Sequence, residues 1–339
     1  MLSVIIDWLE FTVLDAQLPS VLDTIGLELD EFSKMSTGRF GYQCQMKWRD
    51  GNIFMMFSPE KGNEDINIDT RVNTKAGIHI MISGQGCRQY SQNHDLIALI
   101  ECLHALPHVN FTRIDLAIDD FESKIINYDR IHEAAIAGNF TSRWSKWDEI
   151  NSRQTSDNHY LGRTMYFGSQ ASDLFCRVYD KTLERKAKKD AESAILRNWT
   201  RLEIVYRKDR AKKLADYIVS DDLPLGHALR GTLKQYLRFL LPGTDSNKAR
   251  WKSAPWWDQL LENVDSLQLT IKKDARTIED MTAWVDKQIS PTLSAILKAQ
   301  EGDLDWLRAI IARGAERLSQ RQKDAIHQYQ KQQKGLSFQ

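Results

Sequence analysis

Arg177, Tyr179 and Lys181 alternate in the stretch FCRVYDKTLERK at 175–186, which puts all three on one side if the run is a strand. A phenol between two cations has no obvious packing role: either the run is a solvated edge or the tyrosine does chemistry. The ordinary tyrosine pKa of about 10 leaves on the order of one molecule in a thousand as phenolate at neutral pH, so nearby positive charge or a base is needed. Tyr166, in TMYFGS, is a second candidate, although Met165 and Phe167 beside it read as packing neighbours. Carboxylates lie on two further strand-like runs. In FTRIDLAIDD, alternation sets Ile114, Leu116 and Ile118 against Arg113, Asp115, Ala117 and Asp119. In TRLEIVYR it sets Leu202, Ile204 and Tyr206 against Arg201, Glu203, Val205 and Arg207. Asp115, Asp119 and Glu203 offer hard oxygen ligands suited to Mg²⁺ or Mn²⁺, and such an ion would polarise a phosphate oxygen. Each polar face alone is also what a half-exposed antiparallel sheet shows to water. The conjunction of three such runs favours a common site.

Local charge supports that reading. The chain has 339 residues, with 46 basic and 46 acidic side chains, so net charge says nothing about partners. Between Arg177 and Lys213, however, thirteen Lys or Arg stand against six Asp or Glu. Lys186, Lys188 and Lys189 follow the tyrosine run; Arg207, Lys208, Arg210, Lys212 and Lys213 follow the glutamate run. Arg201, Arg207, Lys208, Lys188 and Lys189 are therefore expected to hold DNA phosphates near the site, against the plainer reading of a solvated helix face.

The elements that must position these residues divide the chain by texture. Short apolar runs (SVIIDWLEFTV, NIFMMFS, GIHIMISG) precede the three site strands, and HDLIALIECLHAL at 94–106 has helical periodicity, as in an α+β or α/β domain. Beyond about residue 210 the pattern is helical almost throughout, including HALRGTLKQYLRFLL, and Pro291 marks a break or new start in the tail. The connector LPGTDSNKARWKSAPWWDQLL is rich in turn residues, and its indoles Trp251, Trp256 and Trp257 read as packing anchors rather than base-stacking platforms. Gly84 and Gly86 read as a tight turn after a strand, since no phosphate-loop spacing is present, and His79 reads as a structural histidine. The four cysteines form no CxxC pair, the N-terminal run lacks a leader pattern, and no apolar run reaches membrane-spanning length. A cytoplasmic protein with free thiols and no membrane partner is expected.

The set SGQGC (83–87), TRIDLAIDD (112–120), YFGS (166–169), RVYDK (177–181) and RLE (201–203), in that order, resembles the Rep_trans family of rolling-circle replication initiators. That family includes plasmid initiators, nicking relaxases of integrative elements and filamentous phage replication proteins; the length and helical tail are most similar to the phage branch. The resemblance spans roughly residues 4 to 260. It implies an α+β fold with an antiparallel sheet related to the HUH endonucleases, although no His-x-His occurs here. It also implies a metal-dependent enzyme in which Tyr179, assisted by Arg177 and Lys181, nicks and rejoins one strand of origin DNA through a 5′-phosphotyrosyl link. Asp115, Asp119 and Glu203 match the metal positions, with Asp120 an alternative to Asp119. The expected organisation is a catalytic domain at 1–215, a helical, Trp-rich extension at 216–265 and a helical region at 266–339. The last can serve a host helicase, a homodimer or the fold's own capping; amphipathic patterning does not choose. The rival reading is a control protein that binds an origin or operator, double- or single-stranded, without cutting it.

Overall fold

A computed structural model describes residues 2–49, 51–60, 66–187, 198–220, 224–265, 278–318, 322–323, 325–327 and 329–331. Twelve strands are found among them: β1 (Leu2–Val13), β2 (Phe32–Lys34), β3 (Cys44–Trp48), β4 (Ile53–Phe57), β5 (Ile78–Ile82), β6 (Val109–Asp120), β7 (Phe140–Ser142), β8 (Trp147–Arg153), β9 (Tyr160–Phe167), β10 (Leu174–Asp180), β11 (Thr200–Arg207) and β12 (Leu237–Phe239). The chain divides into two compact units, one made of 1–12, 50–55 and 79–270, the other of 13–49, 56–78 and 271–339.

The first unit is built on a sheet whose strands run in the order β4-β5-β1-β6-β11-β10-β9-β8. The pairs β6/β11, β11/β10, β10/β9 and β9/β8 are antiparallel. The helix Asp209–Ser220 packs on β6 and β11, burying Ala211, Leu214, Ala215 and Ile218 against the face that carries Leu116, Ile118, Leu202 and Ile204. Each such aliphatic side chain contributes about 1.5–3 kcal/mol of burial. The opposite face is buried as well: Asp115, Asp119, Arg201 and Glu203 are all sealed from solvent. It is thus no half-exposed polar surface, and its charges must be answered by one another.

Several elements depart from the sequence reading. SGQGC does not form a turn but opens the helix Gly84–Tyr90, because this helix lies hard against its neighbours. A Cβ on Gly86 would come within 2.4 Å of the Asn52 carbonyl oxygen, and one on Gly84 within 3.0 Å of Asp7. The helical run through HALRGTLKQYLRFLL stops at Tyr236; Leu237–Phe239 becomes β12 and pairs with β7. Phe239 there meets Trp256 and Trp257 at 5.1 Å each, with Trp257 fully buried, so these indoles are packing anchors. Trp251 donates its indole N–H to the Asp245 carbonyl oxygen at 2.6 Å. His79 is buried and bonds Thr12 at 2.9 Å, the structural role expected of it. The four cysteines are free thiols.

In the second unit β2 and β3 form an antiparallel pair with Phe32 opposite Trp48, whose indole donates to Glu31 at 2.8 Å. The helix Leu18–Ile25 ends at Gly26, whose φ of 68° permits the left-handed cap. Pro291 lies directly after a wider turn at Val285–Ile289, and the helical backbone runs on through it from Ile278 to Ala299, so it marks an irregularity rather than a new start. Among the described residues no helix is long and apolar enough to cross a membrane.

Candidate active site

The register of four neighbouring strands assembles the site. Asp119 lies opposite Arg201, Arg201 opposite Tyr179, and Tyr179 opposite Thr164. The next row on the same face is Ala117, Glu203, Arg177 and Tyr166. Alternation therefore brings Asp115, Asp119, Arg177, Tyr179, Arg201 and Glu203 to one face, as the sequence reading required. Lys181 joins them from the first residue of the helix Lys181–Ala187, where β10 has already ended.

Tyr179 is buried, and its hydroxyl donates to Glu203 Oε2 at 3.2 Å. Arg177 binds the other oxygen of Glu203 and lies 3.8 Å from Asp115. The Arg177 guanidinium stands 5.7 Å and the Lys181 ammonium 5.3 Å from the Tyr179 ring centroid. Lys181 is tied to Glu184 at 2.6 Å, and its pKa is lowered by burial and by the Arg201 charge. Burial and the Glu203 charge push the Tyr179 pKa well above its ordinary value, so the resting phenol holds its proton. Tyr166 sits in the next row with its ring 6.4 Å from that of Phe175.

The acidic residues split into distinct environments. Asp115 accepts from Arg113 Nε at 2.8 Å and from Arg113 Nη2 at 2.5 Å, one bond on each oxygen, and also bonds Glu203. Burial raises the Asp115 pKa well above the carboxylate range, whereas for Glu203 the cost of burial is outweighed by Arg177, Asp115 and Arg201 together, which lower its pKa. The two neighbouring carboxyls are thus shifted in opposite directions. Asp119 differs from the expectation placed on it. It accepts two bonds from Arg201 at 2.7 Å each and one from the Trp199 indole at 2.6 Å, which commits both oxygens. Asp120 is committed too, accepting from the backbone N–H groups of Glu122, Ile125 and Ile126 at 3.1, 2.7 and 2.9 Å. Asp7 on β1 supplies a carboxylate that the sequence reading passed over. Its Oδ1 lies 2.6 Å from Arg201 Nη1, and burial raises its pKa. A lone Asp in the apolar run SVIIDWLEF was the available signal.

Among the described residues no three His, Cys, Asp or Glu side chains form a ready-made metal cage. Asp115 and Glu203 do fit a divalent ion in the manner usual for Mg²⁺, which takes one or two carboxylates and completes its shell with water and phosphate. Two adjacent buried carboxyls are a place where such an ion can offset the cost of ionising both. Asp119 is the more heavily engaged, meeting Trp199 as well as Arg201, where Asp115 meets Arg113.

The basic residues expected at the DNA also part company. Arg201 is 1% exposed between Asp7 and Asp119, so it cannot meet a phosphate. Arg207 donates to the carbonyl oxygens of Gln170 and Ser172, and Lys208 is paired with Asp173 at 2.9 Å. Both lie six or seven residues from Arg201 in sequence, about 20 Å from the tyrosine row at strand rise. Lys188 and Lys189 lie outside the described residues. The cations that do line the cavity beside Tyr179, about 460 Å³ in volume, are Arg88, Arg163, Arg177 and Lys181.

An antiparallel sheet flanked by helices thus carries a tyrosine, a glutamate and arginines in register on one buried face. The chain belongs to the family described as "Replication initiation factor", which matches residues 109–311, and the "Rolling Circle replication initiation protein N-terminal domain" matches residues 3–96. Among individual relatives, it is 28% identical over 236 residues to a Bacillus subtilis (strain 168) protein described as "Putative DNA relaxase NicK". That match covers 66% of this chain and 64% of the relative, so the chain spans less than two thirds of that protein. Its fold is similar to that of a rolling-circle replication initiator protein from Geobacillus stearothermophilus, with a TM-score of 0.69 and 28% identity over 80% of this chain and 100% of the other.

Proposed function

We propose that the protein is a rolling-circle replication initiator that nicks and rejoins one strand of origin DNA through Tyr179. The observation that carries this reading is the Tyr179 hydroxyl 3.2 Å from Glu203, on a cation-bearing face of a chain in this family. Burial makes the phenolate costly at rest, so the proton must leave as the bond to phosphorus forms, and Glu203 is the group placed to take it. The Tyr179 oxygen bonds to phosphorus while the bond from phosphorus to the 3′ oxygen breaks. The 3′ oxygen leaves and takes up a proton, giving a 5′-phosphotyrosyl link and a free 3′-hydroxyl. Arg177 and Lys181 offset the charge that develops on the phosphoryl oxygens. The ester keeps the energy of the broken bond, so the reverse reaction rejoins the strand without ATP.

Asp115 and Glu203 would hold Mg²⁺ or Mn²⁺, and the ion would supply Lewis-acid polarisation of the phosphate. Arg201 then has a positioning role: its bonds to Asp7 and Asp119 fix the floor on which Tyr179 stands. The substrate is the strand of an origin in the cytoplasm. Incubating the protein with a supercoiled plasmid bearing the origin of its own replicon, with and without Mn²⁺, tests the reading. Open circles with protein covalently attached are expected with metal and are lost in Tyr179→Phe. Tight binding without nicking would point instead to a non-cutting control protein, and nicking without an adduct to a metal nuclease that uses water.

A further inference from the structure

Strands β2 and β3 pair with Phe32 opposite Trp48, Ser33 opposite Lys47 and Lys34 opposite Met46, and the Met35 N–H extends the ladder to the Gln45 carbonyl oxygen at 2.9 Å. Beyond them the chain reverses at Arg39–Tyr42, where the Tyr42 N–H donates to the Arg39 carbonyl oxygen at 3.0 Å. Phe40 there has φ 57° and Gly41 has φ 86°. Two successive left-handed residues are what a type I′ turn requires, and its first central position ordinarily belongs to Asn, Asp or Gly. A bulky side chain at that position is an outlier, because its Cβ crowds the following carbonyl oxygen.

Burial does not hold Phe40 in this conformation. Its side chain is 57% exposed, with the Arg39 guanidinium 4.7 Å from the ring centroid, and Met35 on the same hairpin is 38% exposed. The base of the hairpin, by contrast, is fixed. A Cβ on Gly38 would fall 1.8 Å from the Tyr42 carbonyl oxygen, so the two limbs close tightly. The Tyr42 hydroxyl donates to the Ala76 carbonyl oxygen at 3.0 Å, and the Gln43 N–H to Ser58 Oγ at 3.2 Å, all within the second unit. An unfavourable backbone conformation kept at an exposed tip on a firm base points to a contact outside the chain.

The charge around the tip identifies the partner. From Phe32 to Trp48 the sequence carries Lys34, Arg39 and Lys47 and no carboxylate, in a chain whose formal charge is zero. An exposed aromatic ring among cations suits an apolar wedge that enters a base step while its neighbours meet the phosphates on either side. A two-stranded ribbon is narrow enough to enter a groove of the duplex. We propose that the β2–β3 hairpin is a finger for double-stranded DNA, with Phe40 stacking into a base step and Arg39, Lys34 and Lys47 on the backbone. This goes beyond the nicking reading and rests only on DNA being the substrate; Phe40 belongs to a different unit from Tyr179 and takes no part in its chemistry.

The test uses the full chain carrying Tyr179→Phe, so that binding is read without cleavage. Fluorescence anisotropy gives its affinity for a labelled duplex spanning the origin of its replicon, and a fluorescent adenine analogue placed at successive positions of that duplex reports unstacking. Adding Phe40→Asn puts a residue suited to the turn in place of the outlier. It is expected to leave the urea midpoint equal or raised, to weaken duplex binding about tenfold, as the loss of one aromatic–base stack would, and to remove the unstacking signal. Phe40→Tyr is expected to keep both. Arg39→Gln decides the matter should Phe40→Asn unfold: it is expected to weaken binding and to reduce the salt slope by about one. Duplex affinity within twofold of the parent in a folded variant overturns the finger, and a replication defect in the cell with that affinity intact would assign the tip to a protein partner instead. Failure of the chain with Tyr179 intact to form an adduct on a single-stranded oligonucleotide, with the Phe40→Asn loss still seen, would sink the nicking reading and leave the finger standing.

Discussion

Replacing Arg201 with methionine separates the structural account from the sequence-based expectation more sharply than any change at an exposed base. Its guanidinium contacts Asp7 at 2.6 Å and bonds Asp119 twice at 2.7 Å, and all three groups are buried. Methionine keeps most of the volume but leaves two carboxyls without their common cation. Removing one partner of a buried ion pair costs about 3–5 kcal/mol, because the remaining charge must be neutralised or stay unanswered in low dielectric. With a urea m-value of about 2–3 kcal/mol/M, the midpoint should fall by about 1–2 M with little change in slope. The exposed Lys208, paired with Asp173 at the surface, provides the control: Lys208→Met should change stability by less than about 1 kcal/mol. Urea titrations followed by tryptophan fluorescence measure both. A small stability loss in Arg201→Met together with weakened DNA affinity would refute the reasoning, since that is the behaviour of a surface phosphate contact.

Other consequences concern the proton and the ion. Glu203→Gln keeps an acceptor near Tyr179 but removes the base, so single-turnover adduct formation should slow by about 10²- to 10⁴-fold while origin affinity is kept. Asp115 and Asp7 have raised pKa values in the folded chain, so between about pH 4 and those values the native state binds more protons than the unfolded one, and stability falls as pH rises. Asp115→Asn should therefore narrow the difference in urea midpoint between acidic and neutral pH; an unchanged difference would contradict a raised Asp115 pKa. Glu203 has the opposite sign, its contribution being lost as pH falls through its lowered pKa. Chelation of divalent ions should abolish adduct formation, and Mn²⁺ or Mg²⁺ should restore it.

Much of the site was legible because strand periodicity is a local property. Alternation alone put Asp115 with Asp119, Arg201 with Glu203 and Arg177 with Tyr179 on shared faces, and antiparallel register then brought those faces together. What alternation cannot show is which charge answers which. Asp119 and Arg201 are 82 residues apart in sequence, and their bond arises from pairing β6 with β11. The same gap hid the role of Asp7, which depends on β1 lying beside β6. Arg201 read as a DNA contact because a polar face suggests water; here the helix Gly84–Tyr90 and its close contact with Asp7 help to seal that face. The strand β8 escaped notice because an edge strand with mostly exposed residues has no apolar alternation to betray it. Gly84 and Gly86 were legible as unusual but not as helical, since their packing partners, Asp7 and Asn52, are remote in sequence.

The central claim is that Tyr179 is the nucleophile. Its most direct test is to incubate the protein with Mn²⁺ and a single-stranded oligonucleotide spanning the nick site of its replicon, labelled 3′ of the nick, and then to map the labelled peptide by mass spectrometry after proteolysis. The account predicts a nucleotide joined through its 5′-phosphate to the peptide containing Tyr179, and no adduct from Tyr179→Phe. An adduct on Tyr166, or one that persists in Tyr179→Phe, would contradict it.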